Sequence, residues 1–175
     1  MKPFSSLFFA ALLLALPFST AQGGRGVVVE QKSIVAAIDD AALEVILAAP
    51  LLRSPSVARA LKNTYERGVP VYLVTASSTV LDPRSYWGSL GLAGLSLFTV
   101  PRVRGYELVI DGRVYFSGPL VALPPTARHT PTYRYQDDAL AKEKRRQLAL
   151  LLRSKSASRM KPAAIVTLML RGGRK

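Results

Sequence analysis

An α/β domain with a mixed, mostly parallel sheet flanked by helices is the architecture this sequence predicts, on three observations. A strand, a helix, the tripeptide Arg67-Gly68-Val69 and a second strand follow one another between residues 45 and 74, which is the right-handed crossover unit of a helix-covered sheet. The run Val109-Ile110-Asp111-Gly112-Arg113-Val114 sets Asp-Gly between two β-rich stretches, the signal of a tight hairpin whose turn needs positive φ. At 175 residues the chain supports one domain with a substantial core, and without cysteine that core is held by burial alone.

Met1 to Ala21 begins with Lys2, runs through the apolar stretch Leu7 to Leu16 and ends Ser19-Thr20-Ala21 before Gln22. This is the pattern of a cleaved secretory signal peptide, with an uncleaved N-terminal anchor as the alternative, and it predicts a secreted or periplasmic protein. The apolar run is shorter than the ~20 residues that cross a bilayer. Gln22 to Gly26 is a Gly-rich leader with little reason to order.

Ile34, Ala37, Ile38, Ala41 and Ala42 then recur at helical spacing behind Ser33, a candidate N-cap. The apolar run Val45-Ile46-Leu47 reads as a buried strand ending near Pro50. Ser54-Pro55-Ser56 starts the next helix, because Ser caps free N–H groups and Pro fits the first turn; Gly68 closes it as the residue past the C-cap. Val69 to Val74 is the following strand, with Pro70 at its start.

Ala76 to Arg84 is a polar loop turning at Asp82-Pro83. Ser85 to Gly91 is a short helix carrying Tyr86 and Trp87, and Gly94 to Val100 another strand. Trp87 is expected in the core or at its rim rather than as a base-stacking platform. Past the hairpin, Leu123-Pro124-Pro125 breaks the pattern, the loop to Pro131 carries the only histidine, His129, and Thr132 to Tyr135 alternates like an exposed edge strand.

Asp137-Asp138 opens a long helix, acidic at its positive end. On it Leu140, Leu148 and Leu151 share one face while Lys142, Arg146 and Arg153 form a ridge opposite. The domain is thus expected over residues 27–153, followed by a basic extension over 154–175. Within the extension, Ala163 to Leu170 is apolar but too short to span a membrane, and reads as an extra edge strand or a partner-binding segment.

The stretch from Arg104 to Pro119 resembles the signature of the phospholipase D superfamily, in which His, any residue, Lys, any four residues and Asp precede a Gly-Ser-x-Asn turn. Arg104 stands where the family has its nucleophilic His, Tyr106 where it has its phosphate-binding Lys, and only Asp111 matches. Gly118-Pro119-Leu120-Val121 stands where the family has its Ser and Asn. The order of elements from Ser33 to about Arg153, including the Arg-Gly-Val strand entry, is similar to the family's as well. The resemblance implies the scaffold of a phosphodiesterase without its chemistry, one that in single-signature members works as a dimer. Across such a homodimer, two Arg104 side chains would form an anion clamp.

The residues themselves offer few catalytic candidates. Arginine side chains stay protonated in proteins, so Arg104 offers neither a nucleophile nor a general base. Tyr106 is a candidate for a covalent phosphotyrosine, His129 for a group folding back over the site, and Asp111 for the remaining signature residue; the plain readings are a rim tyrosine, a surface histidine and a hairpin-turn aspartate. With one His and no Cys, thiolate and His-rich zinc sites are excluded, and no cofactor or metal is expected.

Charge points to the partner. Of the net +13, residues 22–122 contribute +2 (ten basic against eight acidic) and residues 123–175 contribute +10 (thirteen against three). A basic surface of this kind is expected to meet nucleic acid or another polyanion, or an anionic membrane surface. Arg104, Lys142, Arg146 and Arg153 are the candidate phosphate ligands. The expected function is non-catalytic binding of DNA or another polyanion; the alternatives are an active phosphodiesterase or endonuclease using non-family residues, and an envelope module binding anionic lipid or protein.

Overall fold

A computed structural model describes residues 25–126 and 130–172; the expected signal peptide and His129 lie outside the described residues. In chain order the elements are β1 (Val27–Val28), α1 (Gln31–Asp39), β2 (Val45–Ala48), α2 (Pro55–Glu66), β3 (Val71–Ala76), α3 (Trp87–Leu92), β4 (Ser96–Val100), β5 (Glu107–Ile110) and β6 (Val114–Ser117). A 3₁₀ turn (Pro119–Val121), β7 (Tyr133–Tyr135), α4 (Asp138–Arg153), β8 (Ser158–Arg159) and α5 (Pro162–Gly172) complete it.

The strands form one eight-stranded mixed sheet in the order β1-β7-β6-β5-β2-β3-β4-β8. Parallel pairing is confined to β2–β3 and β3–β4, where α2 and α3 supply crossovers; the other five pairings are antiparallel. The sheet is therefore mixed as expected but not mostly parallel, because β5, β6 and β7 follow one another through a hairpin and a loop, and the short edge strands β1 and β8 also pair antiparallel.

Both faces are covered. β2 shows why its run of apolar residues has no polar alternation: Val45 and Leu47 face the core under α1 and α2, while Ile46 and Ala48 face α4, and all four are buried. Trp87 is fully buried on the first face, its indole N–H directed at the Pro50 carbonyl at 3.4 Å. Among the described helices α4 covers the second face, through Ala141 and Leu148 over Ile46, Val74, Val109 and Tyr115. Ser54 caps α2 as read, its hydroxyl accepting the Val57 N–H at 3.3 Å, and Gly68 follows the helix at φ 87°. No described helix is long and apolar enough to cross a membrane.

Four local readings change. α1 starts at Gln31 with Glu30 as N-cap, not at Ser33, because the Gln31 amide is anchored to the carbonyls of Leu120 (2.9 Å) and Leu123 (2.6 Å), a constraint from distant sequence. It ends at Asp39, so Ala41 and Ala42 lie beyond it. β7 is not an edge strand, since β1 pairs with it through Val27↔Arg134 and Val28↔Tyr133. Ala163 to Leu170 is helical; the edge strand of the extension is instead β8, antiparallel to β4 with Arg159 opposite Phe98. Residues 158–172 thus extend the sheet and pack on α3, with Ile165 entering the core at 0 % exposure.

Candidate functional site

The hairpin that carries the signature-like residues separates them. β5 runs antiparallel to β2 with Ile110 opposite Val45 and Glu107 opposite Ala48. Asp111 therefore lies at the end of the sheet where β2 begins, and Tyr106 and Arg104 at the end where β2 finishes, about 15 Å away at ~3.3 Å per residue. Arg104, Tyr106 and Asp111 do not converge.

Asp111 is built into the turn. At φ 54° it occupies the left-handed region with Gly112 at φ 63°, and the Arg113 N–H closes the turn on the Ile110 carbonyl at 3.0 Å. Its Oδ1 accepts the N–H groups of Leu43 (2.8 Å) and Glu44 (2.9 Å), and Oδ2 that of Ala42 (3.1 Å). Burial pushes this carboxyl up, but the three backbone donors and Arg113 outweigh it and hold it below its ordinary value. A carboxylate so occupied ties the hairpin to the start of β2.

At the other end, the C-terminal ends of β2 and β3 meet the start of β5. The Arg53 and Ser54 N–H groups both donate to the Ala122 carbonyl, at 2.7 and 2.9 Å, which fixes the loop after β2 against the 3₁₀ turn. Gly118, at φ 136°, donates its N–H to the Tyr106 carbonyl at 2.9 Å, and a Cβ there would fall 2.6 Å from the Thr132 Cα, so only glycine fits. Pro119 and Val121 are buried behind it and present no hydroxyl or amide.

Tyr106 is half-buried against the α1–α3 core, and burial raises its phenol above the ordinary value while the nearby Arg53 guanidinium opposes the shift. Among the described residues no base is hydrogen-bonded to the Tyr106 hydroxyl, and a protonated phenol in that setting is a hydrogen-bond donor. Arg53 approaches Asp82 at 3.4 Å and its buried Nε has no hydrogen-bond partner among the described residues, while Asp82 is chiefly occupied by Arg84. The side-chain bond from Arg84 also holds the Asp82 carboxyl below its ordinary value.

Arg104 opens on the opposite side of the sheet. The chain bends at Gly105 before β5 starts, so the two-residue alternation fails there. Arg102 and Arg104 line a shallow groove with Ala48, Glu107, Leu148 and Leu151. Glu107 in that groove accepts the Tyr115 hydroxyl at 2.8 Å and the Lys144 ammonium at 3.1 Å, so its carboxylate is already satisfied.

The α4 ridge is divided by the same geometry. Lys142 lies near Asp111, Gly112 and Arg145 at the turn end, whereas Arg153 sits in the last turn of α4, past Leu148 and Leu151 of the groove. Arg146 is held by both oxygens of Glu143 at 2.8 Å. Lys142 and Arg153 have no ion-pair partner among the described residues. One end of the sheet thus gathers Arg53, Arg102, Arg104 and Arg153. Arg53 and Arg102 escaped the sequence reading, though the position of Arg53 just past a parallel strand, where open α/β sheets bind ligands, was a signal for it.

No family model and no curated protein matches this sequence. Solved structures do match its fold. NucT from Helicobacter pylori superimposes with a TM-score of 0.65 over 78 % of this chain and 98 % of that one at 17 % identity. Nuc from Salmonella typhimurium, a phospholipase D family member, gives 0.60 over 75 % and 90 % at 15 % identity. TrmBL2, an archaeal chromatin protein whose structure shows a novel mode of DNA binding, gives 0.57 over 78 % of this chain and 55 % of its own at 13 % identity. The chain has a phospholipase D-like fold.

Proposed function

We propose that this phospholipase D-like domain is a non-catalytic binder of phosphodiester polyanions, with DNA as the leading ligand. The observation that carries the proposal is the exchange of chemistry at one end of the sheet. Arg104, Tyr106, Pro119 and Val121 stand at the signature positions of the resembled nucleophile, phosphate ligand, hydroxyl and amide, while Arg53, Arg102 and Arg153 add positive charge around them. Guanidinium groups bind phosphate oxygens in a fork of parallel hydrogen bonds without contributing a nucleophile or a transferable proton. Arg104 and Arg53, one on each side of the sheet end, would contact successive phosphates of a backbone crossing it, with Lys142 and Arg153 as outlying contacts. In this reading the protein acts outside the cytoplasm, and pairing of two copies would double the phosphate-binding surface.

What favours this reading over an active phosphodiesterase is the side-chain chemistry at the signature positions, where Arg104, Tyr106, Pro119 and Val121 supply no positioned nucleophile and base; a chromatin protein that binds DNA is among the proteins of similar fold. A single gel experiment tests it, using the chain from Gln22 onward with linear duplex and plasmid DNA. Salt-sensitive retardation of the duplex with the plasmid left intact is expected. Metal-independent plasmid cleavage that survives further purification, or no retardation at low salt, overturns it.

A further inference from the structure

We infer that α5 docks on an anionic lipid surface. This helix is apolar on both of its sides. Ile165 enters the core and Leu168 is half-buried against the loop before α3, as expected of a packed helix. The side turned away from the domain, where water-facing helices carry charge, is also apolar: Ala163 is exposed, Val166 is 44 % exposed and Leu170 67 %, at the spacing of one helix face. Met169 lies on the packed side instead, its methyl over Gly88 of α3. Thr167 is the one polar side chain between Pro162 and Leu170, and its hydroxyl is satisfied inside the helix, donating to the Ala163 carbonyl at 2.9 Å. Nothing on the outward face therefore requires water.

Charge selects the occupant. Glu143 is the last acidic residue of the chain, and ten Lys and Arg follow it. Lys155, Arg159 and Lys161 precede α5, all exposed and without an ion-pair partner among the described residues, while Arg171, Arg174 and Lys175 follow or end it in sequence. An apolar helix face bracketed by cations is the chemistry of a helix lying in the headgroup layer of an anionic bilayer. At 11 residues α5 is about 16 Å long, fit to lie in that layer and not to cross it. A second copy of this chain would bring a like cluster of cations against these, so self-association through α5 is opposed by the same charges that favour lipid.

The test uses the chain from Gln22 onward, which keeps every described residue, in sedimentation with vesicles of phosphatidylcholine alone or mixed three to one with phosphatidylglycerol. Binding to the mixed vesicles and not to the neutral ones is expected. Val166→Glu with Leu170→Glu should weaken it at least tenfold, and Lys155→Gln with Arg159→Gln and Lys161→Gln by about fivefold per cation removed. Both variants should melt like the parent and retain DNA retardation, which separates this inference from the nucleic-acid reading. If the glutamate pair melts early, Leu170→Ser serves in its place, with about a tenfold loss expected. Equal binding to neutral vesicles, binding indifferent to either variant, no binding to the mixed vesicles, or a dimer that Leu170→Ser dissociates would each overturn the inference.

Discussion

Asp111 and Glu44 are bonded in both directions: the Asp111 carboxylate accepts the Glu44 N–H at 2.9 Å, and the Asp111 N–H donates to the Glu44 carbonyl at 2.9 Å. The residue that most resembles a catalytic signature is thereby committed to holding the hairpin against the start of β2.

Asp111→Ala leaves three backbone N–H groups without their acceptor and places a residue that disfavours positive φ in the turn, so a loss of about 2–3 kcal/mol is expected in urea unfolding at pH 7. The Asp111 carboxyl is held below its ordinary value in the folded state, so its stabilisation is present above the unfolded-state pKa of about 3.9 and fades as pH falls through the folded value. The stability gap between the parent and Asp111→Asn should accordingly narrow below about pH 4. A gap of constant size down to pH 2 would contradict the assigned role.

Turnover of phosphodiesters should stay at background, and Arg104→His combined with Tyr106→Lys should not create it. The hydroxyl and amide positions are occupied by Pro119 and Val121, and each missing charge-stabilising group costs roughly 3 kcal/mol at a transition state. The two introduced side chains would also start from positions opening on different sides of the sheet. A chromogenic phosphodiester assay decides this, with activity abolished by His129→Ala or Tyr106→Phe as the contrary outcome.

Salt dependence of DNA binding reports which cations meet phosphate. Each neutralised contact adds about 0.9 to the negative slope of log affinity against log salt. Because Glu143 already binds Arg146, replacing Lys142, Arg146 and Arg153 by Gln should flatten the slope by about two rather than three. Arg53→Gln with Arg104→Gln should remove about two more. An unchanged slope in both variants, measured by fluorescence anisotropy, would move the interface elsewhere.

Residues 158–172 contribute to the stability of the domain through β8 and Ile165. Ile165→Ala should cost about 2–5 kcal/mol in thermal or urea unfolding, as for a fully buried aliphatic side chain. Ending the chain at Arg153 should cost more, since it also strips a neighbour from β4. Unaltered stability of the shortened chain would instead support a domain complete at residue 153.

Periodicity and end signals were enough to place α2, the crossover, the hairpin and α4, because the caps at Ser54 and Asp137, the positive φ of Gly68 and the positive-φ turn at Asp111-Gly112 are set by backbone within a few residues. The phospholipase D-like fold was legible from the order of these elements. What tertiary structure decided involves partners far apart in sequence. Gln31 moved the start of α1 by reaching Leu120 and Leu123, Val27–Val28 became a strand only by meeting β7, and Ile165 made α5 part of the core. The candidate site followed the same division. Spacing put Arg104, Tyr106 and Asp111 in one motif, but an antiparallel strand has two ends, and the register of β5 on β2 sent Asp111 to one and the arginines to the other. Arg53 joins Tyr106 across about fifty residues of chain because both lie where β2 ends and β5 begins, a juxtaposition set by strand pairing.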